Sequence, residues 1–292
     1  MDFTIENDFL RVTVRSKGAE VVSVQNKQTG EEMMWSGDPA VWGRTSPILF
    51  PYCGRLLEGK YTKDGTTYTG DGHGFARDLE HTLVDTADEK LTLCLEANAL
   101  TMEKFPFAFK LFSTFWLTEK TLHHGIEVVN DGDEEMTFGF GYHPGFACPF
   151  DAQHTVQDYA VVFSEPETPE VIACSTETGL TTGQTAPYFE NGRAIPLTDH
   201  LFDSDSICFS KLHSATLSLV ERGGRRIDVE IADFPYVLLW SAPGPLRFVC
   251  IEPWHTLPDA HDATGEWADK KPALALAPAA RWSTQLRVSF QR

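Results

Sequence analysis

No two of the six cysteines stand at C-x-x-C spacing; Cys53, Cys94, Cys148, Cys174, Cys208 and Cys250 are scattered along the 292 residues. That spacing argues against a zinc site and for reduced thiols serving as small apolar residues. Positive charge is scarce as well, with 24 Lys and Arg against 42 Asp and Glu and a formal net charge of -18. Nucleic-acid binding depends on clustered basic groups, so no nucleic-acid partner is expected, and an anionic membrane surface would repel the chain. No apolar run approaches the ~20 residues that span a membrane as a helix. The first residues, Met1-Asp2-Phe3-Thr4-Ile5-Glu6, carry acid where a secretory signal carries base. The expectation is a cytoplasmic protein with no membrane partner. Also missing are a persuasive helical period over a dozen residues, a low-complexity linker, a charge block and a fixed repeat.

What is present is apolar material in strand-like order. Hydrophobic residues make up 42%, with 20 Phe and 7 Trp, enough for a large core. Alternation recurs at Leu10, Val12 and Val14, at Leu91, Leu93 and Leu95, from Phe109 to Trp116, at Ile126 and Val128, at Ile227, Val229 and Ile231, and from Trp282 to Phe290. Asn130-Asp131-Gly132 and Arg222-Gly223-Gly224 lie between such runs, where residues tolerant of positive φ close hairpins. Ser164 to Asn191 reads as a long surface connection, and short helices are expected near Ala99 to Lys104 and His255 to Trp267. Together these predict an all-β chain: one large antiparallel β-sandwich with few short helices, a single domain over residues 1–292.

Four stretches carry candidate chemistry. In Phe138-Gly139-Phe140-Gly141-Tyr142-His143-Pro144 an extended backbone puts both glycines and His143 on one face, leaving backbone bare for a ligand; the alternative is a hydrogen-bonded core histidine. In Arg247-Phe248-Val249-Cys250-Ile251-Glu252-Pro253-Trp254, Glu252 follows Phe248 and Cys250 onto one inward face, as a base with a raised pKa or as half of a salt bridge. Asp71-Gly72-His73-Gly74-Phe75-Ala76-Arg77, preceded by Pro47-Ile48-Leu49-Phe50-Pro51 and Gly54-Arg55, is a ligand-contact loop or a plain turn. Asp205 opens the run Ser206-Ile207-Cys208-Phe209, able to accept bonds from hydroxyls or to end a turn.

In this order, the segments around Pro47–Arg55, His73–Arg77, Phe138–Phe146 and Glu252–Trp254 resemble the aldose 1-epimerase (galactose mutarotase-like) family, most of all its LacX-like branch. The resemblance covers nearly the whole chain. It implies a β-sandwich of the supersandwich type that interconverts α and β anomers of an aldohexose without cofactor or metal. It further implies His143 as general acid, Glu252 as general base, and Arg55, His73, Arg77 and Asp205 as sugar contacts. Trp254 could pack on the sugar ring or in the core. The acidity of the whole chain would help keep His143 charged, with nearby arginines opposing. The His-Gly-Phe-Ala-Arg segment is shared with the hexose-6-phosphate 1-epimerase branch, and Arg44, Arg55 and Arg77 could hold a phosphate. A sugar-binding protein without turnover is the rival reading, since fold does not fix function.

Overall fold

A computed structural model describes residues 1–291. Two antiparallel sheets dominate. One has nine strands, in the order Gly192–Pro196, Tyr159–Glu167, Thr216–Glu221, Arg226–Glu230, Arg281–Gln291, Thr121–Asn130, Phe109–Thr118, Lys90–Glu96 and Thr82–Ala87. The other orders Thr181–Pro187, Glu170–Cys174, Ile207–Ser210, Tyr236–Trp240, Phe248–Trp254, Gly141–Tyr142 and Ile48–Leu49, with Gly145–Ala147 also paired to Phe248–Trp254.

Period-two burial explains how the sheets stack. Along Phe109–Thr118 the odd positions Phe109, Leu111, Phe115 and Leu117 are buried, while Lys110, Phe112, Thr114 and Trp116 are half-buried on the other face. The inward residues of both sheets, such as Leu93, Phe115 and Leu219 from one and Phe209, Val249 and Ile251 from the other, form one continuous apolar cluster. Burying each such side chain is worth about 1.5–3 kcal/mol, which outweighs the weak intrinsic preferences of single residues.

Phe248–Trp254 is the exception to alternation, being buried at every position. Val249 and Ile251 face the main core, whereas Phe248 and Cys250 pack with Trp35 beneath Val41, Trp42 and Trp240. Glu252 shares that second face. It is buried, as expected, but under a roof of loops and tryptophans outside the sandwich core.

Several local expectations fail for identifiable reasons. Asn130-Asp131-Gly132 closes no hairpin: Thr121–Asn130 stays in the nine-stranded sheet, and Met136–Phe138 pairs with Leu274–Leu276. The Asn130 side-chain amide donates to Glu134 O and Leu276 O, so the turn switches layers. Arg222-Gly223-Gly224 does join paired strands. Ser164 to Asn191 is no surface connection, because Glu170–Cys174 pairs with Ile207–Ser210 and with Thr181–Pro187. A helix forms at Ala99–Met102, capped by Asn98, but His255 to Trp267 yields only the 3-10 turn Trp267–Asp269. Backbone bonds from Asp259 N to Arg55 O and from Thr181 N to Asp259 O tie that stretch to neighbouring loops, and Pro258 and Gly265 suit it to them.

Two buried histidines make the fold sensitive to acid. Burial lowers the His124 pKa to about 3 and that of His81 to about 4, and His124 stacks on Phe115 with ring centroids 4.1 Å apart. Folded-state values below the unfolded value of ~6.5 contribute stability that is whole above pH 6.5 and is lost as pH falls toward the folded values. Denaturant-measured stability should therefore drop between about pH 6.5 and 4, and His124→Phe should flatten that slope. An unchanged slope in the variant would remove His124 from the account.

Candidate functional site

The face carrying Glu252 opens into a cleft of about 420 Å3, a size suited to a small molecule. Its lining includes His143, Glu252, Arg55, His73, Arg77 and Asp205, so all six expected residues converge. The eight-stranded sheet supplies the floor, with Glu252 on its central strand and His143 directly after Gly141–Tyr142. Loops supply the walls: Gly54 and Arg55, bonded to the loop of His73 and Arg77 through His73 N to Gly54 O, and Asp205 with Ser206.

His143 sits there because the core claims its neighbours. Phe138, Phe140 and Tyr142 are fully buried on the sandwich side, which turns His143 to the opposite face. The glycines between them leave no bare backbone for a ligand, contrary to the sequence reading. A Cβ on Gly141 would stand 2.6 Å from Trp254 Cδ1, and one on Gly139 would stand 2.3 Å from Thr256 Oγ1. They let the strand bearing Glu252, and the segment after it, lie close alongside.

His143 Nε2 lies 3.3 Å from Glu252 Oε2, and both side chains are buried. The contact is not an aligned hydrogen bond, and His143 Nδ1 and Glu252 Oε2 have no partner among the described residues. Burial lowers the His143 pKa to about 3, and the guanidinium groups of Arg77 and Arg44 push the same way. Burial raises the Glu252 carboxyl well above the carboxylate range, with Asp205 adding to it. The expected help from overall acidity does not prevail in the empty cleft, while the expected opposition of nearby arginines does act: desolvation acts at the ring itself, whereas the net charge of -18 is distant and screened. The pair rests as a carboxylic acid beside a neutral imidazole. That state holds as many protons as a carboxylate beside an imidazolium, so one proton transfer interconverts them.

The remaining residues divide by what already holds them. His73 adopts φ 70°, and its Nδ1 accepts a bond from Gly54 N at 3.1 Å, so the neutral ring carries its proton on Nε2. Burial and Arg77 hold its pKa well below the ordinary histidine value. Arg77 donates to Gly72 O, and Arg44 pairs with Asp78 at 2.7 Å. The exposed Arg55 guanidinium has no hydrogen bond or ion pair among the described residues. Asp205, at φ 78°, accepts from Ser206 N and keeps an exposed carboxylate at the rim. Trp254 lines the cleft edge-on to His73, with centroids 5.5 Å apart. Cys250 has its sulfur within 4.8 Å of the nearest His143 and Glu252 donor atoms, but burial pushes its thiol well up, which disfavours the thiolate a cation would need.

Trp42 and Trp240, also in the lining, were missed by sequence reading. Neither has a local signature. Trp42 belongs to the irregular stretch Pro39-Ala40-Val41-Trp42-Gly43-Arg44 and meets His143 only through the fold.

Comparison with known proteins agrees with this architecture. The family model described as Aldose 1-epimerase matches residues 1–285. The chromosomal protein LacX of Lactococcus lactis subsp. lactis is 30% identical over 286 residues, covering 95% of each chain. Among solved structures, a galactose mutarotase related enzyme from Lactobacillus acidophilus superposes with a TM-score of 0.95 at 32% identity, covering 100% of this chain and 98% of that one. A galactose mutarotase-like protein from Lactobacillus casei ATCC 334 gives 0.92 at 30% identity, with full coverage of both. The β-sandwich is thus of the galactose mutarotase-like kind.

Proposed function

The chain belongs to the aldose 1-epimerase family, and from that premise we propose that it interconverts the α and β anomers of an aldohexose, with Glu252 as base and His143 as acid. The observation that carries this reading is the 3.3 Å approach of the two groups in one cleft. Anomer exchange needs two proton transfers at oxygens bonded to the same carbon, so its acid and base must stand side by side.

Sugar hydroxyls entering the cleft offer hydrogen bonds to the Glu252 carboxylate, which offsets the desolvation that holds it protonated and favours the charged form of the pair. Glu252 then takes the proton of the C1 hydroxyl while His143 Nε2 gives its proton to the ring oxygen. The bond from C1 to the ring oxygen breaks and leaves the open-chain aldehyde. Rotation about C1–C2 presents the other carbonyl face. Closure returns the ring-oxygen proton to His143 and the Glu252 proton to O1. On this reading the Nε2 proton of His73, the Arg55 and Arg77 guanidiniums and the Asp205 carboxylate, which all line the cleft, hold the other hydroxyls.

One observation favours a second substrate class. Arg44, Arg55 and Arg77 gather at this cleft in a chain of net charge -18, a concentration suited to a sugar phosphate. Polarimetry or exchange NMR on fresh α-glucose, α-galactose and their 6-phosphates separates the two. Catalysed exchange of the free sugars, little inhibited by inorganic phosphate, is the expected result, and preference for the phosphates would move the assignment to the second class. Arg55→Met should raise KM roughly tenfold or more with kcat little changed, as loss of a charged hydrogen bond predicts. Sugar binding without accelerated exchange would overturn the enzyme reading.

A further inference from the structure

A cation on His143 has few supporters in this cleft. The charged and titratable groups that share the cleft or touch the ring are Glu252 at 3.3 Å, Arg44, Arg55 and Arg77, Asp205, His73 with its ring centroid 5.7 Å away, and the buried Cys250 thiol. Burial and the arginines oppose a proton there, and the residue's own backbone carbonyl favours one; Glu252 adds its charge only once it is ionised. Yet on the reading above His143 must hold a proton in order to give it to the ring oxygen.

The other favourable surface is aromatic. The Trp42 ring stacks on the His143 ring, centroids 4.9 Å apart and planes 27° from parallel, and Trp240 meets His143 at 5.5 Å and 85°. Trp42 is itself fixed. It stacks on Phe248 at 5.2 Å and 15°, packs edge-on with Trp240 at 5.4 Å, and its carbonyl accepts the Trp35 indole N–H at 2.8 Å. The residue two beyond His143 makes room for it, since a Cβ on Gly145 would lie 2.8 Å from Trp42 Cζ3. A π-face held within about 6 Å of a cation attracts it, and more strongly where water is excluded.

We propose that Trp42 is a positioning residue for the exchange reaction, holding the His143 ring toward Glu252 and stabilising its imidazolium form through the indole face. The proposal rests on the acid role of His143. Loss of the indole face lowers the fraction of sugar-bound protein whose pair is in the charged, reactive form, so it lowers kcat, while the hydroxyl contacts that set KM remain. A sugar-stacking platform would do the reverse.

The test is a series at position 42: Trp42→Leu, Trp42→Phe, and site-specific 5-fluoro, difluoro and tetrafluoro tryptophan, which keep the ring's shape while draining its π-face. We expect kcat to fall roughly 2- to 30-fold in Trp42→Leu, the range of one such contact, with partial recovery in Trp42→Phe and a stepwise fall along the fluorinated series. A flat fluorinated series, or a rise in KM at constant kcat, would overturn the proposal; if Trp42→Leu fails to fold, the fluorinated arm still decides. A second arm needs no turnover: in 15N-histidine NMR of sugar-free protein, His143 of the tetrafluoro variant should acquire its charge at lower pH than the wild type. An unchanged titration would sink the proposal, whereas wild-type protein idle on every sugar, with the titration shifted as expected, would sink only the exchange reaction.

Discussion

Glu252→Gln should reduce catalysed anomer exchange by at least about 10²-fold, and His143→Ala should do the same, since each removes one of two proton-transfer groups typically worth about 10²- to 10⁴-fold. The amide keeps the shape of the carboxyl but cannot take the C1 hydroxyl proton. In this buried position, where the folded state raises the carboxyl pKa, it also removes the cost of protonating that carboxyl on folding at neutral pH, so Glu252→Gln should unfold at least as late as the wild type. That combination, lower activity with unimpaired stability, distinguishes a group retained for chemistry from one retained for folding. Sugar affinity measured by calorimetry should change little in either variant, because the rim contacts remain. Combining the two changes should cost little more than either alone, as expected for groups that act as a unit. Exchange in Glu252→Gln within threefold of the wild type would refute the role assigned to Glu252.

Lys270→Met should destabilise the chain by about 3–5 kcal/mol, the usual cost of leaving one partner of a buried ion pair alone. Lys270 Nζ donates to Asp259 Oδ1, and only 3% of the lysine side chain and 8% of the aspartate side chain are exposed. The other Asp259 oxygen accepts from Leu57 N at 2.9 Å, Asp259 N donates to Arg55 O at 2.9 Å, and Asp259 O accepts from Thr181 N at 3.0 Å. One residue thus ties three segments together beside Arg55, its carboxylate holding Leu57 N and Lys270 and its backbone holding Arg55 and Thr181. The loss is large against a typical total of about 5–15 kcal/mol and should appear as a lower urea midpoint. Lys270→Met with Asp259→Asn should recover much of it, because the amide can still accept from Leu57 N and carries no charge. A single variant within about 1 kcal/mol of the wild type would contradict this account.

The legible parts of the sequence were those where burial is one-sided. Leu10, Val12 and Val14, or Leu91, Leu93 and Leu95, alternate because one face of each strand meets the core. Glu170–Cys174 and Thr181–Pro187 stayed hidden because they lie toward a sheet edge, half-buried or exposed almost throughout, with no alternation to read. Asn130-Asp131-Gly132 had the chemistry of a turn, but its destination depends on Leu276, far along the chain. For the site, an ionisable residue on an apolar strand marked Glu252, and the resemblance supplied the partners now lining one cleft. Trp42 was invisible because its meaning lies in a ring a hundred residues away. The resting protonation was misjudged because composition reports the charge of the whole molecule, whereas the His143 pKa follows its immediate surroundings.

The division of the cleft between a sheet floor and loop walls has an evolutionary consequence. Glu252 is anchored on an interior strand of a paired sheet, and His143 directly follows a strand of the same sheet, whereas Arg55 and Asp205 stand exposed on loops. On the proposed reading, descendants of such a chain can exchange one sugar for another by mutating the rim while keeping His143 and Glu252.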